Sequence, residues 1–257
     1  MKRLIAFDLD GTLAPSKSLA DDRMTELLRQ LLNKFQVCII SGGKFAQFDK
    51  QVLGTLNADD SELENLHLMP TCGTRYMAYN IEDQDWKQIY AEDFQESEKQ
   101  KIIAALNKGF DDLKYREKKT YGECIEDRGS QITFSVLGQD VVDVLGLEGV
   151  KIKEEWDPDN KKKNELRDYI APLIPEVEVR VGGITSIDVT KKGIDKAYGM
   201  KKLMSILSIS KDQILFVGDR LQPGGNDYPV KAMGIDSLEI SSWQETALAV
   251  QAILYAA

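Results

Sequence analysis

The stretch Leu4-Ile5-Ala6-Phe7-Asp8-Leu9-Asp10-Gly11-Thr12-Leu13 decides the fold. Its first four residues are a short apolar run, the pattern of a strand buried on both faces of a parallel sheet. Two carboxylates one residue apart follow, then a Gly-Thr turn. A strand running into such a turn delivers its last side chains to the carboxyl edge of the sheet, where open α/β folds bind ligands. Carboxylates gathered on an apolar strand are costly to leave unpaired. A divalent cation removes that cost, because hard cations take carboxylate oxygen, and a carboxylate beside one can attack phosphorus. A bare Asp-x-Asp would equally fit a strand ending in an Asx-type turn. Here the pair stands directly behind the apolar run, within the longer string Asp-x-Asp-Gly-Thr-Leu.

Working outward, the same arrangement recurs twice. After a turn at Pro15, residues 19–35 have helical spacing, with Asp21 and Asp22 in the first turn and Met24, Leu27, Leu28, Leu31 and Leu32 on one face. Val37-Cys38-Ile39-Ile40 is a second buried strand; it runs into Ser41-Gly42-Gly43-Lys44, and a helix is expected through Leu53. Strand, glycine turn and helix together present backbone N–H groups to an anion. Ile214-Leu215-Phe216-Val217 is a third buried strand, ending in Gly218-Asp219 with Asn226-Asp227 beyond it. Residues 235–240 form a last strand and 245–255 a closing helix. Cys38 followed by Lys44 is a near miss for a cysteine-phosphatase loop, which needs a planar arginine fork at its end; Cys38 reads as a core residue.

The middle of the chain has a different texture. Tyr76–Tyr79 starts a hairpin, residues 81–101 are highly charged, and 94–110 have helical spacing. Residues 131–138 alternate as a half-exposed strand, 161–170 form a helix whose three lysines read as a solvated face, and Val177–Val181 is a strand. These elements indicate an inserted α+β domain. The expected architecture is α/β: a Rossmann-like doubly wound parallel-sheet core from residues 1–82 and 189–257, with an α+β cap domain inserted at 83–188.

Composition narrows the function. The 257 residues include 33 Lys+Arg and 42 Asp+Glu, a formal net charge of -9, which argues against nucleic acid as a partner. No apolar run is long enough to span a bilayer, and the one after Met1-Lys2-Arg3 meets Asp8 too early for a signal peptide. Cys38, Cys72 and Cys124 show no metal or disulfide spacing, consistent with a cytoplasmic chain with reduced thiols. His67, the one histidine, falls in a loop-like stretch and suits a surface or packing role.

Asp8-x-Asp10, Ser41, Lys196 and Gly218-Asp219 with Asn226-Asp227 stand in the order that resembles the haloacid-dehalogenase-like phosphotransferases. The insertion between Ser41 and Lys196 is similar to the α/β cap of their subfamily IIB. The second half is similar to the eukaryotic-type phosphomannomutases: Val181-Gly182-Gly183-Ile184-Thr185-Ser186-Ile187-Asp188-Val189, Gly193-Ile194-Asp195-Lys196, residues 218–227 and Ile125-Glu126-Asp127-Arg128 all match their segments. Two departures stand out. Gln139 follows Ser135-Val136-Leu137-Gly138 where those mutases have a second clamp arginine, and Ser41-Gly42-Gly43-Lys44 is closer to the hydrolases than to Gly-Gly-Ser-Asp.

The resemblance implies Asp8 as nucleophile, Asp10 as acid and base, and Ser41 and Lys196 as phosphoryl-holding groups. Mg²⁺ would be held by Asp8, the Asp10 carbonyl, Asp219 and Asp227. Gly42, Arg128, Gly183, Ser186, Asp188 and Asn226 would bind substrate. The implied activity is a Mg²⁺-dependent phosphatase for a small phosphorylated metabolite, a sugar phosphate, through an aspartyl-phosphate. A phosphomannomutase-type mutase is the alternative. A non-catalytic sugar-phosphate sensor is a further one, against which Asp8, Asp10, Lys196 and Asp219 argue together. The expected partner is a small phosphorylated molecule, not nucleic acid or membrane; a homodimer is left open.

Overall fold

Leu4–Phe7 forms the expected central strand, β1, buried at every residue. The computed structural model describes residues 1–256 and divides into two units. One is Met1–Ala91 with the chain from Ile194 onward; the other is Glu92–Gly193. These junctions fall later than the expected 82/83 and 188/189. At the first, the charged stretch after Ile81 is not the start of the insertion but an outer strand of the core sheet. At the second, residues 189–191 complete a strand of the inserted sheet.

The core sheet has seven strands: β1, β2 (Gln36–Ile40), β3 (Leu66–Met69), β4 (Arg75–Asn80), β5 (Asp85–Ala91), then, beyond the insertion, β10 (Ile214–Gly218) and β11 (Asp236–Glu239). Their spatial order is β11-β10-β1-β2-β3-β4-β5. The pairs from β11 through β3 are parallel; β3–β4 and β4–β5 are antiparallel. The chain steps outward from β1 through β2 and β3, then returns to the other side of β1 as β10. The switch point of the sheet therefore lies between β1 and β10, where open α/β folds place ligands. In register, Phe7 sits beside Val217 and Ile39, so Asp8, Asp219 and Ser41 leave three neighbouring strands at the same edge.

Alternation along β1 and β2 sorts the core into two layers. Ile5, Phe7, Val37 and Ile39 pack on one face with Met24, Leu28 and Leu31 of helix Asp22–Leu32 and Val250 of helix Trp243–Ala256. Leu4, Ala6, Cys38 and Ile40 pack on the other with Met200 and Leu203 of helix Lys196–Leu207. The sheet is thus covered on both sides, as near-continuous apolar strands require. The first helix is shorter than its apolar spacing predicts because Asp21 is its N-cap, accepting from the Met24 N–H at 2.8 Å. The segment after Ser41 is helical in three pieces: Phe45–Phe48, a π-turn Asp49–Leu53, and Gly54–Leu56. His67 lies in β3, not in a loop, and is buried.

The inserted unit has a four-stranded antiparallel sheet, β6 (Ile125–Asp127), β7 (Gln131–Ser135), β8 (Val177–Val181) and β9 (Ser186–Lys191), in the order β6-β7-β9-β8. Ile132, Phe134, Val179, Ile187 and Val189 pack against helices Glu96–Asp112 and Lys161–Ile170. Two expectations need correction. Every residue of β7 is buried, because the polar face carrying Gln131, Thr133 and Ser135 is itself covered by hydrogen-bonded side chains. Lys163 does not face solvent; it is buried, and its ammonium donates to the Gly183 carbonyl at 3.2 Å. Helices Val141–Leu145 and Leu147–Trp156 were not apparent in the sequence, since Gly146 and Gly149 interrupt their spacing. Among the described residues no helix is long and apolar enough to cross a membrane.

Candidate active site

Four charged side chains converge at the switch point. Asp8 follows β1, Asp219 follows β10, Asp227 precedes helix Tyr228–Ala232, and Lys196 opens helix Lys196–Leu207, which Asp195 caps through the Tyr198 N–H at 2.9 Å. The Lys196 ammonium donates to Asp8 Oδ1 and to Asp227 Oδ1, the latter at 2.6 Å. Asp227 Oδ2 accepts from the Arg220 N–H at 3.1 Å. One carboxylate oxygen from each of Asp8, Asp219 and Asp227 lies within 4.8 Å of the others.

Three carboxylates and one ammonium leave two negative charges in a largely buried place. Burial raises the Asp8 carboxyl; the Lys196 ammonium opposes the rise and the Asp227 charge adds to it. Burial, then Asp227, likewise raises Asp219. Burial by itself would lower the Lys196 ammonium, but Asp8 and Asp227 together hold it above its ordinary value, so it stays charged. A divalent cation matches both the excess charge and the all-oxygen donor set. The backbone also leaves room: a Cβ on Gly11 would stand 2.7 Å from Asp219 Oδ2, and one on Gly218 2.5 Å from Asp227 Oδ2. The cluster fits a hard divalent metal ion.

Asp10 is turned to other partners. Its Oδ1 accepts from the Lys17 N–H at 2.7 Å and Gln51 Nε2 at 3.2 Å, and its Oδ2 from Gln47 Nε2 at 2.8 Å. Ser41 is buried at the end of β2, and its Oγ accepts from the Gly43 N–H at 3.4 Å. The loop at Gly42 is braced by the turn after β3: Thr71 N–H donates to Gly43 O and Cys72 N–H to Ser41 O, both at 2.9 Å. Thr71 and Cys72 have φ of 50° and 56°, a left-handed pair of non-glycine residues and thus a strained turn. Asn226 lies in the loop between Asp219 and Asp227 and is exposed.

The remaining candidates belong to the inserted unit. Arg128 Nε and its terminal nitrogen both donate to Glu126 Oε2 at 2.7 Å. Asp188 lies on the polar face of β9, accepts from Thr133 Oγ1 at 2.7 Å, and is raised by burial against the pull of Arg128. Ser186 begins β9, opposite Ser135. Gly183 lies in the turn between β8 and β9. Gln139 is tied to the backbone, donating to Cys124 O at 3.3 Å and Thr133 O at 3.4 Å.

A family model of haloacid dehalogenase-like hydrolases matches residues 5–229, which contain all of these groups. The chain belongs to that family. It is a haloacid dehalogenase-like enzyme, and curated relatives of this hydrolase include a probable phosphomannomutase of Caenorhabditis elegans, 22% identical over 90% of the chain and 87% of the relative. Human phosphomannomutase 1 is 25% identical, over 89% and 83%. The fold is similar to that of Plasmodium falciparum IMP-nucleotidase, with a TM-score of 0.68 at 19% identity, covering 99% of this chain and 68% of that one. It is also similar to a Streptococcus mutans protein of known structure, with a TM-score of 0.66 at 17% identity over 99% of this chain and 100% of that one.

In this hydrolase, sequence reasoning missed Gln47, Gln51 and the Thr71–Cys72 turn. Glutamines on a helix read as solvent-facing, and no sequence signal marks a left-handed Thr-Cys pair. The spacing of Gln47 and Gln51, four apart just after the Ser41 loop, places both on one helical face and is the hint that was available.

Proposed function

We propose that this hydrolase is a Mg²⁺-dependent phosphatase of a small phosphorylated metabolite, a sugar phosphate, acting in the cytoplasm through an aspartyl-phosphate. The observation that carries the reading is the buried Lys196 bound to both Asp8 and Asp227 beside Asp219, at the switch point of the sheet. Asp8, the Asp10 carbonyl, Asp219 and Asp227 would hold the ion, which when bound supplies positive charge against the phosphoryl oxygens.

The chain's own groups do the rest. Lys196 opposes the effect of burial on Asp8 and orients it, so that a carboxylate oxygen attacks phosphorus. The Asp8–phosphorus bond forms as the ester P–O bond breaks, and Asp10 passes its proton to the departing oxygen. Asp10 then takes a proton from water, the water oxygen bonds to phosphorus, and the Asp8–phosphorus bond breaks to release inorganic phosphate. Ser41, with the N–H groups at Gly42, and Asn226 hold the phosphoryl group. Arg128, Gly183, Ser186 and Asp188 contact the rest of the substrate, with Asp188 suited to hydroxyls.

The phosphomannomutase names among the relatives favour a second reading, a phosphosugar mutase. A mutase must grip phosphate at either end of its sugar. Gln139 carries no charge and is committed to backbone carbonyls, which supports hydrolysis. The test is phosphate release from a panel of sugar phosphates, with Mg²⁺ and with chelator, run beside a coupled mutase assay on mannose 1-phosphate and glucose 1-phosphate. Asp8→Asn should lose turnover by several orders of magnitude, as removal of a nucleophile does. Mg²⁺-dependent release at the wild-type rate in that variant would overturn the covalent mechanism.

A further inference from the structure

The carboxylate of Asp10 is held by a side chain that also touches the loop after Ser41. Gln47 Nε2 donates to Asp10 Oδ2 at 2.8 Å and to Gln51 Oε1 at 2.6 Å. Its Oε1 lies 2.1 Å from where a Cβ on Gly43 would stand, so a side chain at Gly43 would displace the Gln47 amide. Gln51 is differently employed. It is buried, its Nε2 donates to Ser18 O at 2.8 Å and to Asp10 Oδ1 at 3.2 Å, and its backbone carbonyl accepts from Ala20 N–H at 2.8 Å. Gln51 therefore ties the segment after Asp10 to the π-turn, whereas Gln47 reaches the second oxygen of the Asp10 carboxylate. The wide turn of a π-helix is a frequent companion of functional sites, and here it begins two residues after Gln47 and contains Gln51.

We infer that Gln47 is the positioning residue for proton transfer at Asp10, fixing the plane of its carboxylate relative to the Ser41 loop; this rests on the phosphatase reading. A group that must protonate an ester oxygen in one step and deprotonate water in the next has to stay in line with phosphorus through both. Displacement by about 1 Å can cost about a hundredfold in rate. The competing account is that Gln47 merely joins a turn to a helix.

The two accounts separate by leaving group. 4-Nitrophenol departs as its anion and needs no proton, whereas the alcohol of glucose 6-phosphate must be protonated as it leaves. kcat/KM reports the steps up to that departure. In Gln47→Leu, kcat/KM for glucose 6-phosphate should fall roughly ten- to hundredfold and that for 4-nitrophenyl phosphate by less than about threefold. Gln47→Glu keeps the length but replaces the donor by an acceptor, and should shift the ratio of the two at least as far. Because both substrates are measured on one preparation, the ratio does not depend on the folded fraction. An unchanged ratio in both variants would overturn the assignment while leaving the phosphatase reading intact. A wild-type protein that hydrolyses neither ester would overturn the reading itself, and the assignment with it.

Discussion

Lys196 and Asp227 meet at 2.6 Å with both side chains fully buried. Together with Asp8 they form a triad in which one ammonium offsets two carboxylates. Removing the cation leaves uncompensated buried charge, which is far more costly than replacing a whole pair. Lys196→Met should therefore destabilise the protein in chelator by about 3–5 kcal/mol, measured by urea denaturation. A loss below about 1 kcal/mol would mean that the carboxylates behave as exposed groups.

Asp219 is the least buried of the three carboxylates, and Gly11 leaves the space its side chain uses. Its contribution should be to metal affinity. Asp219→Ala should raise the Mg²⁺ concentration for half-maximal activity by more than about tenfold, with a matching shift in a calorimetric Mg²⁺ titration. An unchanged midpoint would take Asp219 out of the metal's coordination.

His67 gives a pH dependence free of the site. Its Nε2–H donates to Gln36 Oε1 at 2.5 Å and its Nδ1 accepts from the Tyr76 hydroxyl at 2.8 Å, the neutral tautomer. Burial lowers it from 6.5 to about 4. Below pH 6.5 the unfolded chain takes up a proton at His67 that the folded one refuses, so the contribution of His67 to stability should fall as pH drops toward 4. The slope is about 1.4 kcal/mol per pH unit and the total about 3 kcal/mol. Because the chain has one histidine, the difference in slope between the wild type and His67→Gln from pH 6.5 to 5.5 should report His67 alone, since the raised Asp8 carboxyl titrates in both. An equal slope in both proteins would show that His67 titrates alike folded and unfolded.

How far the sequence spoke for the structure follows from what each residue had to do. Leu4–Phe7, Gln36–Ile40 and Ile214–Gly218 are legible because parallel strands covered on both sides must be apolar throughout. The residue after each such strand then falls at one edge, and Asp8, Ser41 and Asp219 could be placed together from that alone. Val177–Val181 and Lys161–Ile170 lie where their periodicity puts them. By contrast, Asp85–Ala91 is an outer strand with mostly exposed side chains, so its charged composition looked like the start of a new domain. Lys163 was read as solvated because a lysine run usually is, yet its partner is the carbonyl of Gly183, twenty residues away. The grip of Gln47 on Asp10 spans thirty-seven residues and involves no charge on the glutamine. Such pairings depend on tertiary placement, which residue type and spacing do not encode.

Arg128 is the residue through which the proposed choice of a sugar phosphate can be tested. Its guanidinium is held by Glu126 through two nitrogens, with side-chain exposures of 12% and 19%, and Asp188 feels its charge. This is more than a surface pair: the partly buried fork is fixed in plane before any ligand arrives, which favours bidentate recognition of an anion or a diol. If it contacts the substrate, Arg128→Ala should raise KM for a sugar phosphate. A charge-assisted hydrogen bond contributes about 1.5–3 kcal/mol, equivalent to a roughly ten- to hundredfold change. 4-Nitrophenyl phosphate, which presents no sugar, should be nearly unaffected. Arg128→Lys keeps the charge but not the planar fork and should recover little of the loss. If Arg128 only braces Glu126 of the strand it follows, β6, Arg128→Ala should lower thermal stability and leave the ratio of the two substrates unchanged. That outcome would withdraw the sugar from the proposed substrate and leave only its phosphate.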